Sequence, residues 1–476
     1  MRIKYYMPIL VGCCLLLLNC GNPNSITPNV NEKDALERTT TNPGKVFDLL
    51  PASFTNVHFS NDLIESEEVN FYRYEYLYNG GGVGIGDINN DGLSDLFFTG
   101  TIAKDRLYLN LGNMKFEDIT VSAGISHNNG LKTGVSMVDI NADGFLDIYI
   151  CRSGWFDNPA ERANLLYINQ GDNTFEEQAQ DYGLAETGNT VQAGFFDYDK
   201  DGDLDCFMAN HPLFQMTSKQ REMARNNPPE RFRDKLYRND GNNSFSEVSK
   251  IAGINNYGHG LGLAISDYNN DGWPDIYIAN DFKSHDFYYI NNGNGTFTER
   301  AKELIAHVSY FAMGSDAADI NNDGLLDLFV VEMLAEDNKR QKTNMASMNP
   351  QLFWDNVNLG YHYQFMRNTL QFNNGKGNFS EIAYLSGLAN TDWSWAPLFA
   401  DFDHDGRKDL AITNGYLRDT QDKDYVKKAK KMGGDKGLKS FTELASMMKS
   451  TRLRNYVFQN DGALHFSDKS EDWGFN

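Results

Sequence analysis

Cysteine is scarce in this chain and poorly placed for cross-linking. Of five cysteines, Cys13, Cys14 and Cys20 fall in the first twenty residues, which leaves Cys151 and Cys206 in the body. Two cysteines make no disulfide framework, so the fold must stand without one. Proline is sparse too, with 12 residues against 42 glycines, 24 tyrosines and 31 phenylalanines, a balance that suits strands joined by many turns. Positive charge is in deficit: 43 Lys and Arg against 65 Asp and Glu give a formal net charge of −22. That balance excludes bulk nucleic-acid binding and favours a cation partner or a soluble surface. The catalytic patterns H-E-x-x-H and G-x-S-x-G, a P-loop and paired Cys-x-x-Cys are all absent. The glycine run 80–86 leads into an acidic turn and a β-like run, not a helix, so it is no nucleotide loop.

Long apolar runs are missing outside the N-terminus. There, Arg2 and Lys4 precede an apolar stretch, 7–18, too short to span a bilayer but suited to the core of an export signal. The stretch ends in Leu17-Leu18-Asn19-Cys20, which resembles the lipobox of bacterial lipoproteins. The resemblance implies cleavage before Cys20 and its lipidation, with Asn19 standing where a small residue is usual. Residues 1–19 are therefore expected to be a signal peptide, and the chain to reside in a bacterial cell envelope, at the outer membrane or cell surface. Membrane contact would run through the lipid anchor alone. Residues 20–46 are rich in Asn, Thr and Pro and read as a flexible tether, leaving 47–476 as the folded body.

That body repeats. The pattern D-x-[DN]-x-D-G-x-x-D occurs six times. Its oxygen-bearing positions one, three, five and nine are Asp87, Asn89, Asp91 and Asp95; Asp139, Asn141, Asp143 and Asp147; Asp197, Asp199, Asp201 and Asp205. The later copies carry Asp267, Asn269, Asp271 and Asp275; Asp319, Asn321, Asp323 and Asp327; and Asp401, Asp403, Asp405 and Asp409. A second signature follows each copy: a short β-like run, an Asn, a Gly two residues on and a Phe six residues on, as in Asn110/Phe116, Asn291/Phe297 and Asn460/Phe466. Run, glycine turn and aromatic restart read as a β-hairpin. From each such Phe to the next acidic motif the interval is 23, 22, 22, 22 and 22 residues. The flanks, such as Ile148-Tyr149-Ile150 and Ile276-Tyr277-Ile278, are short, β-branched and aromatic, so each acidic loop joins two strands. About four strands per repeat predict an all-β chain of four-stranded propeller blades.

The acidic nonapeptide suits calcium (Ca2+), which takes six to eight oxygen ligands in flexible geometry. Positions one, three, five and nine offer side-chain oxygens, position seven a backbone carbonyl, and the glycine at six lets the backbone wrap. Dockerin-like pairs would need following helices and thrombospondin-type arrays many cysteines. About six structural calcium sites are therefore expected.

These residues resemble the FG-GAP/VCBS repeat family, as in integrin-alpha-like propellers and in bacterial cartilage-acidic-protein-like lipoproteins. The resemblance implies a seven-bladed propeller over 47–476. The interval rule would place the seventh motif near position 488, past Asn476, so the last blade is expected to be incomplete, or the segment 47–61 to close the ring.

Insertions fall in one connection. From acidic loop to hairpin Asn the spacing is 23, 30, 42, 24, 54 and 59 residues, so the second-to-third-strand link carries all extra length. Inserts at 211–235, 333–368 and 416–455 read as partly helical and carry net charges of +3, +1 and +6. They lie on the face opposite the acidic loops, a place for a glycan or protein ligand. Segments preceding each motif bring Tyr257, His259, His307, Tyr310, Trp393 and Trp395 towards that face. The expected role is a recognition or adhesion module without catalysis. The alternatives are a lyase- or dehydratase-like sugar enzyme, with His259 and His307 joined by Asp281 or Glu332 around a metal in the funnel, or a scaffold subunit of an envelope complex.

Overall fold

Alternation builds the blades. Strand Asp275–Asp281 is buried along its whole length, as a central strand must be, whereas Phe175–Glu177 buries its Phe and exposes two Glu, as an outer strand does. In the computed structural model, the described residues are 44–475, except 126–129, 214–216, 218–219, 221–222, 224–228, 283, 346–348 and 433–439. The expected signal peptide, Cys20 and almost all of the tether lie outside them. Residues 44–476 belong to one compact unit.

Six antiparallel four-stranded sheets follow one another along the chain, spanning 83–118, 131–177, 190–247, 259–299, 315–381 and 394–468. In each, the strands lie in chain order. The first strands of successive blades, from the first to the sixth, pack against one another. Glycine makes that approach possible: a Cβ on Gly314 would stand 2.2 Å from the Trp395 carbonyl oxygen, and one on Gly262 would stand 2.6 Å from that of Met313.

The seventh blade is a correction. Six complete blades are present, and the sixth has all four strands, Ser394–Ala400, Asp409–Asn414, Tyr456–Gly462 and His465–Asp468. Acidic loops count blades, and there are six; the seventh came from the habit of the family and from no residue of this chain. Residues 46–61 instead form a strap. The Val46 and Phe47 amides donate to the Trp473 carbonyl at 3.2 and 2.8 Å, behind the sixth blade. Further on, the Asn56 amide donates to the Phe116 carbonyl at 3.0 Å, and Phe59 stacks on Phe98 of the first blade at 4.8 Å.

A clamp explains why one connection absorbs all the insertions. The residue just before each third strand (Asp105, Asn164, Asp234, Asp286, Asn368 or Asn455) accepts a backbone N–H from the end of the second strand. The six distances run from 2.7 to 2.9 Å. Once this bond ties the base of a connection, extra length adds only a slowly growing closure entropy. The long inserts of the fifth and sixth blades contain the helices Asn338–Asn344, Pro350–Asn358, Lys423–Lys431 and Phe441–Ala445. Twelve residues of the third blade's insert, all between 214 and 228, lie outside the described residues.

Candidate cation loops and a cavity at the opposite mouth

Each acidic loop is held in shape by its own carboxylates. The position-six glycine N–H donates to the position-one Asp at 2.6 to 3.1 Å, from Gly272 to Asp267 at the short end and from Gly202 to Asp197 at the long. The position-five Asp accepts the N–H of position seven, as Asp143 does from Phe145 at 2.9 Å. The glycines stand at φ from 86° to 98°, which side chains rarely adopt.

The position-nine Asp does a different job. All six are buried, and each accepts two backbone N–H groups from distant places: position two of its own loop and the hairpin Asn. For Asp147 these are Ile140 at 3.0 Å and Asn169 at 2.8 Å. Burial pushes these carboxyls up: Asp147 and Asp327 to about 6, Asp205 and Asp275 to about 7, with Asp95 and Asp409 also raised. Neighbouring carboxylates of the same loop push the same way.

The donor set fits a hard cation. In the third loop, oxygens of Asp197, Asp199 and Asp205 gather within 4.8 Å of one another, and in the sixth those of Asp401, Asp403 and Asp405 do so. A carboxylate has about four lone-pair sites, so the bonds that shape the loop leave acceptors for an ion. The four loops with Asn at position three differ: there the amide N–H donates to the position-five carboxylate, as Asn141 does to Asp143 at 2.9 Å. Turning that amide would offer its oxygen instead. The third loop is the least compensated, since Asp199 Oδ1 is buried without a partner while Lys200 lies over the Trp273 ring at 4.2 Å. In the sixth, Arg407 pairs with Asp405 at 2.5 Å and Gln459 bonds Asp403 at 2.6 Å.

Neighbouring loops are joined. Hairpin Asn side chains donate to the position-two carbonyl of the preceding blade at 2.8 Å: Asn169 to Ile88, Asn291 to Tyr198, Asn373 to Tyr268 and Asn460 to Ile320. Asn90, Asn270 and Asn322 reach forward to the glycine carbonyl of the next loop. A cation that stiffens one loop therefore braces its neighbours.

The opposite mouth is plugged by a segment without repeat character, 71–78. Tyr74 donates or accepts with Ser153 at 2.7 Å and with His211 at 2.8 Å. Tyr76 donates to Asp281 at 3.1 Å, and Tyr78 bonds Glu65, which pairs with Arg418 at 2.6 Å. The third long insert sits on this plug: Tyr72 bonds Tyr425, and Glu67 accepts the Phe441 and Thr442 N–H groups. Helix Lys423–Lys431 buries Tyr425 and Ala429 and exposes Lys423, Lys427, Lys428, Lys430 and Lys431.

Beside the plug lies a cavity of about 200 Å³, walled by aromatic rings. Of the six residues expected at this face, Tyr310, Trp393 and Trp395 line it, together with Asp281. Trp393 stacks on Tyr416 at 3.9 Å, and Trp395 donates to the Gly415 carbonyl at 2.5 Å. The other three stand elsewhere. Tyr257 is buried edge-on to Phe287 in blade packing, because its stretch leads into a core strand. His259 is buried between Tyr76 and Phe282. His307 lies with Arg367 and Glu381, and burial lowers it to about 4. His259 is paired in register with Asp281, but His307 does not join them. Glu332 is fully buried and spends its carboxylate on the Phe311 and Met333 N–H groups.

A family model described as FG-GAP-like repeat matches residues 87–150, 226–278, 267–330 and 357–412. Cartilage acidic protein 1 of Xenopus tropicalis is 29% identical over 42% of this chain and 29% of its own length. That of Mus musculus is 24% identical over 50% of this chain and 34% of its own. The chain thus spans about a third of the curated relatives it matches. Among solved structures, an Agrocybe aegerita protein described as recognising non-reducing terminal N-acetylglucosamine aligns over 83% of this chain and 82% of its own, at 15% identity and a TM-score of 0.43.

Proposed function

We propose that this chain, four stretches of which match an FG-GAP-like repeat model, is a calcium-braced recognition module, exported and held at a bacterial cell envelope by a lipid on Cys20, that binds a glycan or protein at its mouth face. Calcium would be held by positions one, three, five and nine of each loop with the position-seven carbonyl; its part is to neutralise crowded carboxylates, not to react. Such extracellular sites work at a Kd of about 10⁻⁴–10⁻³ M. The lipid anchor rests on the N-terminal sequence; among the described residues, no helix is long and apolar enough to cross a membrane.

The observation that carries the recognition reading is the aromatic cavity, walled by strand ends of the fourth to sixth blades on the side where the long inserts gather. Such concave, largely apolar sites with few polar groups are where ligands bind. An enzyme in the funnel is disfavoured by the plug: Tyr74 and Tyr76 pack against His211, His259 and Asp281, and among the described residues no cluster of possible metal ligands includes His259 or His307. The test is a glycan- and protein-array screen of the mature chain, with and without calcium. Saturable binding lost on substituting Trp395→Ala supports the reading. Turnover of a bound sugar, or binding untouched by that substitution, would contradict it.

A further inference from the structure

Eight aromatic side chains, from Phe71 and Tyr76 on the plug to Trp395 and Tyr416 on the sixth blade, line the mouth cavity. Aromatic walls alone would suit any apolar group. What sets this cavity apart is a group of acids in and behind the same wall that have no basic partner. Asp281 is 3% exposed, Glu75 lines the cavity with its Oε2 buried and without a partner, and Glu332 lies behind Phe311 and Met333. Among the described residues, none of these three acids takes part in an ion pair, although Arg and Lys pair with acids at many other places in the chain. Burial pushes Asp281 up to about 7 and raises Glu75 and Glu332; Glu75 adds to the rise at Asp281, and Asp281 to that at Glu332. The indole N–H of Trp393 is a second unmet polar group there, on a residue only 6% exposed.

An unpaired buried carboxylate is expensive, and desolvated aromatic faces attract cations. Both costs are relieved by one kind of guest. We propose that the cavity takes an ammonium group on a short alkyl stem, primary or quaternary, presented by the ligand of the mouth face. The aromatic faces surround the charged head, and Asp281 and Glu75 supply the counter-charge. The exposed lysines of 423–431 face water, where their field is screened within about 10 Å. This inference rests on reading the mouth as the recognition face and sharpens it.

The experiment is calorimetric titration of the mature, calcium-loaded chain with four probes. Choline carries a quaternary head, butylamine a primary one, 3,3-dimethylbutan-1-ol is the uncharged isostere of choline, and N-acetylglucosamine is a neutral sugar. Saturable binding of choline or butylamine is expected at a Kd on the order of 1 mM, with the isostere about tenfold weaker. Which ammonium probe binds tells whether the natural group is methylated. Glu75→Gln should weaken binding about tenfold with the melting temperature unchanged, and Trp395→Ala should remove it. Both residues are partly exposed, so the fold should tolerate either change. Equal binding of the isostere, or no heat from either ammonium probe, overturns the proposal. Binding of the sugar alone would overturn it too, while leaving the recognition reading in place.

Discussion

Replacing Asp147 by Ala should lower the unfolding free energy by about 2–6 kcal/mol in chelator, before any cation is considered. The side chain is fully buried, and its two oxygens accept the Ile140 and Asn169 N–H groups. An orphaned buried donor costs about 1–3 kcal/mol, and this substitution orphans two. Asp147→Asn keeps one acceptor and loses the other, so its cost should fall between the two and keep the experiment readable if the Ala variant does not fold. Asp139→Ala is the contrast: position one ties only the exposed Asp143 and Gly144 N–H groups, so stability in chelator should barely change while the calcium response of that loop disappears. Urea unfolding checks both. A loss below about 0.5 kcal/mol for Asp147→Ala, within the range of ordinary surface substitutions, would mean that the two N–H groups find other partners.

Calcium should raise the melting temperature by about 10 °C or more relative to chelator at neutral pH, each site contributing ~1.4 kcal/mol at tenfold excess over Kd. The pH dependence follows from the position-nine carboxyls. Their folded, cation-free values are raised, to about 6 for Asp147 and Asp327 and about 7 for Asp205 and Asp275. Stability from their protonated forms is present below the unfolded value near 4 and is lost as pH rises through 6 to 7. The chelated protein should therefore melt higher at pH 5.5 than at pH 7.5. Asp234, Asp281 and Asp286, also raised to about 7, push the same way with or without calcium. The diagnostic quantity is thus the calcium-minus-chelator difference, which should widen as pH rises from 5.5 to 7.5. A difference that is flat or shrinks over that window would show that calcium does not compete with these protons.

The repeat carried most of the architecture into view. Six acidic loops, their hairpins and the one elastic connection were all legible because each recurs at fixed spacing, and the structure makes each loop a link between the first and second strands of a blade. Six acidic loops make six blades; the expectation of a seventh followed the family's habit and no loop of this chain. The hairpin Asn was seen as a turn residue; its larger task, stapling a blade to its predecessor, depends on a contact such as Asn373 to Tyr268, 105 residues apart, which no local pattern announces. The clamp before the third strand was within reach. Asp or Asn stands five residues before every hairpin Asn, from Asp105 and Asn110 to Asn455 and Asn460, but insert lengths hide it when one counts from the acidic loop. The plug was not legible. Residues 71–78 repeat nothing, and the hydroxyl contacts of Tyr74 with Ser153 and His211 and of Tyr76 with Asp281 span 79 to 205 residues, beyond any local pattern. The same segment separates Trp393 and Trp395, at the cavity, from His259 beneath Tyr76.

Equilibrium dialysis of the mature chain against labelled calcium asks the central question without intermediaries. Six ions per chain are predicted, the tightest in the third loop, where among the described residues none of the four carboxylates takes part in an ion pair, and weaker binding in the sixth, where Arg407 holds Asp405. Removal of one ion by Asp199→Ala, with five retained, would tie the count to the loops. A stoichiometry of zero or one at millimolar calcium would contradict the account.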